Sequence, residues 1–230
     1  MKNKIDNNFF VFILIWLLIP TQNLLAQSNN GMLMFQIEGK QFKKINYNKK
    51  GFIIDSQLLN IGKIKKDIKG YSLKINTKNY NKKGGLKSEK SFNYLCDKSQ
   101  NGSVFMSVFP LVNTESKDIN ITILSNNFLY PSSFENIDKI DDFSLKINYK
   151  TKFLGVNTKT FIKFTNRKIK KITNENYNLT GNIKIKTFVG SINVLNLNYT
   201  LNEIISIKNG IISQKYTKKD GSYFTIELNN

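Results

Sequence analysis

The chain has no histidine, one cysteine, one tryptophan and three prolines in 230 residues. It also has a single alanine, Ala26, and a single arginine, Arg167. Each shortage closes off some chemistry or structure. Without histidine there is no Ser-His-Asp or Cys-His arrangement, and most zinc sites lose a usual ligand. Cys96 alone cannot make an intramolecular disulfide, and no histidine is available to activate its thiol. Alanine is the best helix former and is depleted in strands, so its absence beyond Ala26 tilts the chain towards β-structure. Nearly pure lysine, with so little arginine, argues against a shaped bidentate grip on phosphate. No Gly-x-Ser-x-Gly, Ser-x-x-Lys or phosphate-loop spacing is present. The expectation is a protein that is not an enzyme and needs no cofactor.

What is present begins with an export signal. Lys2 and Lys4 precede an apolar run from Phe9 to Ile19 that Pro20 closes, and Leu24-Leu25-Ala26 stands before Gln27. A charged start, a short apolar stretch and a small residue at the cut describe a cleavable signal peptide over residues 1–26. Eleven apolar residues are too few to span a bilayer, which needs about 20. No later segment is apolar enough to span, so the expected mature chain is 27–230, soluble, and periplasmic or secreted. No linker divides it. One β-rich domain is the simplest organisation, with a fallback boundary near 125–131.

Apolar and polar residues alternate with period two in many places. Phe143, Leu145, Ile147 and Tyr149 alternate with Ser144, Lys146, Asn148 and Lys150; Phe224, Ile226 and Leu228 alternate with Tyr223, Thr225 and Glu227. One dry and one wet face is the mark of antiparallel sheet. Asn209-Gly210 is a strong hairpin signal, and Lys219-Asp220-Gly221 is a second turn. From residue 181 onward the pattern reads as a five-strand meander, and Lys78–Lys90 as the longest polar loop. About a dozen strands are expected, including Met32–Ile37 and Val104–Phe109. Two segments carry helical spacing instead: Leu58, Ile61, Ile64 and Ile68, and the stretch from Ser132 to Asp142 with a Ser132/Glu135 capping box. The predicted fold is mainly β: a single antiparallel sheet, a strongly curved meander, half-barrel or barrel, with one or two short helices.

The net charge of +19 is uneven. Residues 27–98 and 143–230 each carry +11, whereas 99–142 carry −4. In the last third, Lys163, Arg167, Lys168, Lys170 and Lys171 form a cationic run suited to an anionic polymer or to membrane headgroups. In the acidic middle, Glu135, Asp138, Asp141 and Asp142 form a weak candidate set for Ca²⁺, without the spacing of an EF-hand loop. The same four side chains also make an ordinary solvated face.

In layout alone, a long meander after an export signal resembles lipocalin-type barrels and half-barrel lipoprotein carriers. That implies an acyl chain or other hydrophobic ligand held against a concave apolar face. No motif of either group is present. Phe143, Leu145, Ile147, Tyr149, Phe224, Ile226 and Leu228 are the residues that would line such a face, and they equally make an ordinary core. Three readings follow: an exported non-catalytic envelope protein binding a ligand or partner on or inside its sheet; a basic surface protein adhering to anionic polymers or membrane headgroups; and a carboxylate- or Ca²⁺-dependent enzyme. Nucleic acid is not expected as a partner, since no RNA-recognition pattern is present.

Overall fold

The computed structural model describes residues 37–68, 70–96, 118–125, 129–131, 133–150 and 157–229. The signal peptide, Met32–Gln36 and Val104–Phe109 lie outside them. Twelve strands occur among the described residues: β1 (Gln41–Tyr47), β2 (Ile53–Asp67), β3 (Gly70–Asn81), β4 (Leu86–Cys96), β5 (Asp118–Ile123), β6 (Lys139–Ile140), β7 (Phe143–Lys150), β8 (Asn157–Lys171), β9 (Asn176–Val189), β10 (Ile192–Ser206), β11 (Gly210–Lys218) and β12 (Tyr223–Leu228).

Eleven of them close into a barrel. The order runs β8-β7-β5-β4-β3-β2-β1-β12-β11-β10-β9, and β9 pairs back to β8. The short β6 lies on the same edge of β8 as β7, with Ile140 opposite Arg167 and Phe143 opposite Phe164. Every pairing is antiparallel except β4–β5, where Tyr94 stands beside Ile119 in a parallel register. Closure leaves the sheet without two long free edges, the usual liability of open β-structure.

Period-two alternation sets inside from outside. On β8 the burial pattern alternates strictly over eight residues, with Thr158, Thr160, Ile162 and Phe164 buried and their neighbours exposed. Cross-strand partners share a face, so Leu145, Ile162, Ile185 and Leu197 continue one inward row. The core formed this way includes Phe42, Leu59, Ile75, Tyr94, Ile121, Ile147, Ile183, Tyr216 and Ile226, all buried. A mainly apolar inside, with lysines outside, is the reverse of a transmembrane barrel, whose outer band is apolar.

Several expectations need correction. Neither predicted helix forms, and no helix occurs among the described residues. Leu58, Ile61 and Ile64 belong to strand β2. There the register slips between Ile61 and Ile64 opposite Ile75 and Leu73, so three residues on β2 match two on β3. That bulge spaces the inward positions 59, 61 and 64, which imitates helical spacing. Gly62 permits it: a Cβ there would lie 2.8 Å from the Lys74 carbonyl. Ile68, the fourth residue of the supposed stripe, is 88 % exposed. The stretch from Ser133 to Asp142 is turns and the short strand β6, with Asn136 at φ 57°.

The predicted five-strand meander has four strands, because β10 runs unbroken through Leu201 and Asn202. The supposed polar loop at Lys78–Lys90 is a hairpin of β3 and β4 around Lys82–Gly85. The Asn209-Gly210 turn forms as expected, with Gly210 at φ 74°. Ser206 supports it through its hydroxyl oxygen, which accepts from the Lys208 and Asn209 amides. Strands from both sides of residues 125–131 join the one barrel, since β5 pairs with β7.

Candidate functional site

The two ends of the barrel differ. At one end Ile37, Leu129, Tyr130 and Phe134, none of them on a strand, are buried in the core cluster, with the turn after Ile37 bonded to Ile61 on β2. Phe134 packs on Tyr177 with ring centroids 5.2 Å apart. This end is closed by side chains from outside the strands.

Beneath that cap lies a buried polar cluster. Glu203 on β10 faces inward opposite Gln214 on β11 and Leu179 on β9. Its Oε1 accepts hydrogen bonds from Tyr130 Oη at 2.8 Å and from Gln214 Nε2 at 2.5 Å. Burial raises the Glu203 carboxyl to about 7, against the lowering pull of those two bonds and of Arg167. The Tyr216 hydroxyl is pushed upward, first by burial and then by the nearby Glu203 charge. Glu203 Oε2, Gln214 Oε1, Arg167 Nε and Tyr216 Oη find no hydrogen-bond partner among the described residues.

Arg167 is the cation of this cluster, and only 2 % of it is exposed. Its guanidinium donates to the Asp141 carbonyl at 3.0 Å and to the Leu129 carbonyl, both in the capping segment. The reason it points inward is a second bulge. On β8 the register slips between Thr165 and Lys168, so Asn166 and Arg167 together face Gly181. Asn166 takes φ 53°, a left-handed conformation asparagine tolerates better than most residues. The extra residue inverts the parity of the strand and sends Arg167 to the side that Asn166 would otherwise occupy. Gly181 makes the room, because a Cβ there would sit 3.3 Å from Arg167 Cγ.

The other end differs along β1 to β4. Asn46, Asp55, Gln57, Asn79 and Ser88 continue the inward rows of Phe42, Leu59 and Ile75, yet all five are only half-buried. Asn46 Nδ2 donates to Asp55 Oδ1 at 2.5 Å, and Asn79 Nδ2 donates to Ser88 Oγ at 3.0 Å. Lys44 lies between this rim and the core, with Nζ 4.6 Å from the centroid of Phe224. Burial lowers its amine to about 8, with Asp55 pulling the other way. Phe224 in turn stacks on Tyr216 at 4.5 Å. A polar, solvent-reached rim therefore stands over an apolar floor.

The sequence-predicted residues divide accordingly. Phe143, Leu145, Ile147, Phe224 and Ile226 are buried on the inward face, and Tyr149 and Leu228 are partly buried against it. They sit on two separate arcs, β7 and β12, rather than on one patch. Lys163, Lys168 and Lys170 are exposed on the outside of β8 and Lys171 is exposed at its end, opposite Tyr177, but Arg167 leaves that run for the interior. Glu135, Asp138, Asp141 and Asp142 are exposed, and no three carboxylates among the described residues gather into a group that could hold a metal ion. The segment is turned and extended where a helix was expected. Two of its carbonyls have structural work, Asp141 with Arg167 and Asp138 with the Ile169 amide at 2.9 Å. Sequence reasoning missed Glu203, Gln214 and Tyr130. A signal existed for Glu203: it interrupts the alternating stripe Tyr199, Leu201, Ile205 and is the only acid in β7 to β10.

The profile of the DUF3108-like family matches residues 37–219, the span from the capped end through β11. The chain belongs to the DUF3108-like family. That span contains Tyr130, Arg167, Gly181, Glu203 and Gln214, so the whole polar cluster lies within the family region. Two solved structures are similar in fold. One, from Bacteroides fragilis, is described as an exported protein with a YmcC-like fold; it is 15 % identical, with a TM-score of 0.44, covering 83 % of this chain and 94 % of that one. The other, described as a lipoprotein of Parabacteroides distasonis, is 17 % identical with a TM-score of 0.45, covering 86 % of this chain and 97 % of that one. Among curated proteins, none matches the sequence.

Proposed function

We propose that this DUF3108-like chain is an exported, non-catalytic barrel that takes one amphipathic ligand through the end lined by its half-buried polar residues. The observation that carries the reading is the contrast in burial along inward rows. Asn46, Asp55, Gln57, Asn79 and Ser88 face inward and stay half-exposed, while the residues one or two rungs deeper, Phe42, Leu59 and Ile75, are fully buried. A few convergent polar groups above an apolar floor suit a ligand with an acyl or other apolar chain and a polar head. Eleven strands also enclose more than the eight whose interior side chains alone fill. Asp55 on the rim and Lys44 beneath it can meet a head of either charge. Export rests on the N-terminal pattern of residues 1–26. The reading assigns no bond-making chemistry.

The test is a pair of masses. Full-length protein, expressed in a bacterium and purified without detergent, is weighed under native and then denaturing conditions. A native mass larger by one small amphipathic molecule is expected. Gln57 and Asn79 stand opposite each other at the rim; Gln57→Trp with Asn79→Trp should narrow it and lower the loaded fraction at unchanged circular dichroism. Equal native and denatured masses, persisting after incubation with a long-chain fatty acid, overturn the reading.

A further inference from the structure

The half-buried polar residues of β1 to β4 face a different kind of wall. Round the closed ring β2 and β3 each lie five strands from β9, one in each direction, so the β9–β10 hairpin stands across the barrel from Asp55, Gln57 and Asn79. β11 begins its pairing with β10 only at Tyr199, opposite Lys218. Ile192–Asn198 of β10, seven residues, therefore pair with β9 alone among the described residues. This overhang leaves the barrel at the end where Thr217 pairs with Tyr223 and Tyr223 with Tyr47, the end that also holds Asn46 and Asp55. Tilted strands stagger a closed barrel in this way.

The strand registers turn the apolar side chains of the overhang inward. Ile192 stands opposite Val189, Leu195 opposite Thr187 and Leu197 opposite Ile185, and Thr187 and Ile185 are buried on the inner face. Val194 is the extra residue of the bulge between Asn193 and Leu195, and it lets both Ile192 and Leu195 keep that face. Yet Ile192 is 68 % exposed and Leu195 41 %. Exposed Phe161 and Leu95, by contrast, pair with Lys186 and Ser72 on the outer face. The inward threonines of this wall add little polarity, because Thr160 and Thr187 are buried and bond each other at 2.9 Å. One wall of this end is thus apolar and left in water, while the facing wall offers amides, a carboxylate and a hydroxyl.

We infer, on the reading proposed above, that the ligand's apolar chain lies on the inner face of the β9–β10 tip while its polar head stays on the β1–β4 rim. Ile192, Leu195 and Leu197 are then the specificity-determining residues for that chain. Large apolar side chains aimed inward and left exposed gain free energy when something apolar covers them. A wholly apolar molecule would cover them but strip water from Asp55, Gln57 and Asn79 without replacing it. A polar polymer would satisfy those three and leave the tip bare. A second copy seated on the tip would leave the polar wall unused. A molecule with one apolar and one polar end matches both walls at once.

The probe is hexadecanoic acid carrying a diazirine at its methyl end, incubated with the full chain, irradiated and mapped by tryptic mass spectrometry. The adduct is expected in the peptide that runs from Thr187 to Lys208, at residues 192–197. Ile192→Ser with Leu195→Ser removes apolar contact at exposed positions, so it should lower that labelling roughly tenfold at unchanged circular dichroism. Adducts confined to other peptides, or tip substitutions without effect on labelling, overturn this placement and leave the amphipathic ligand standing. No light-dependent adduct anywhere overturns the ligand reading and the placement with it. A dimer that the tip substitutions dissolve, with residues 192–197 unlabelled, also overturns the placement, since a second copy then covers the tip.

Discussion

Tyr130 and Glu203, 73 residues apart in sequence, meet through a 2.8 Å hydrogen bond in which the phenol donates to the carboxylate. The bond ties the capping segment to the inside wall of the barrel. It also sets a pH dependence. The Glu203 carboxyl is raised to about 7 in the folded chain from 4.5, burial being the main cause. A raised carboxyl favours the folded state at low pH, and the advantage is lost as pH rises from the unfolded value through 7. That shift corresponds to roughly 3 kcal/mol. Glu203→Gln keeps an acceptor for Tyr130 and Gln214 but cannot ionise. Urea unfolding at pH 5 and pH 8 should show wild type losing stability over that interval, with most of the loss absent in the variant.

Arg167 holds two carbonyls of the cap, so its removal should loosen that end. Arg167→Ala leaves the Leu129 and Asp141 carbonyls without their donor and Glu203 without its nearest cation. Breaking one partner of a buried charged set costs about 3–5 kcal/mol. Urea midpoints give the size, and faster hydrogen exchange at Leu129, Tyr130 and Phe134 would locate it. A loss below about 1 kcal/mol would show that the cap stands on apolar packing alone.

Gly181→Ala should act through Arg167. The new Cβ falls 3.3 Å from Arg167 Cγ and equally near the Thr165 carbonyl. Overpacking of this kind costs about 1–3 kcal/mol. A double-mutant cycle with Arg167→Ala separates the two neighbours: the cost should shrink when the arginine is gone, and an unchanged cost would assign it to the backbone contact.

Gly62→Ala probes the bulge in β2. Its Cβ would meet the Lys74 carbonyl oxygen at 2.8 Å, so the β2–β3 register must shift. A destabilisation of about 1–3 kcal/mol is expected by chemical denaturation. Neutral behaviour would mean that the two strands re-register freely.

Lys44 offers a chemical test of access to the interior. With its amine lowered to about 8, it is substantially neutral at pH 8, whereas an ordinary lysine near 10.4 is almost wholly charged. Brief acetylation at pH 8 with peptide mass mapping should modify Lys44 ahead of exposed lysines such as Lys168 and Lys170. Protection of Lys44 would show the rim closed to a small reagent.

Much of the fold was legible. The rows Phe143, Leu145, Ile147 and Phe224, Ile226, Leu228 point inward as alternation required, because the pleat places successive side chains on opposite faces. The turn at Asn209-Gly210 was legible for an equally local reason, glycine's freedom at positive φ. What misled were the places where a bulge breaks the period. The extra residue near Gly62 made β2 look helical. The extra residue at Asn166 turned Arg167 from a surface cation into a core one. A lone arginine in a lysine-rich chain was the available hint, since its planar guanidinium suits buried carbonyl acceptors better than an ammonium does.

The sequence by itself determined the β class, which side chains are dry and which wet, the main turn positions and the excess of lysine. These follow from period-two geometry and from turn preferences, which act over a few residues. Only the tertiary structure decided that β9 returns to β8 and that β5 runs parallel to β4. It alone brought Tyr130 and Arg167 to Glu203, and left the inward polar residues at one end of the β1–β4 wall half-buried. Those outcomes depend on pairings between distant strands and on the registers their bulges impose. A change of one residue in register exchanges the inside for the outside.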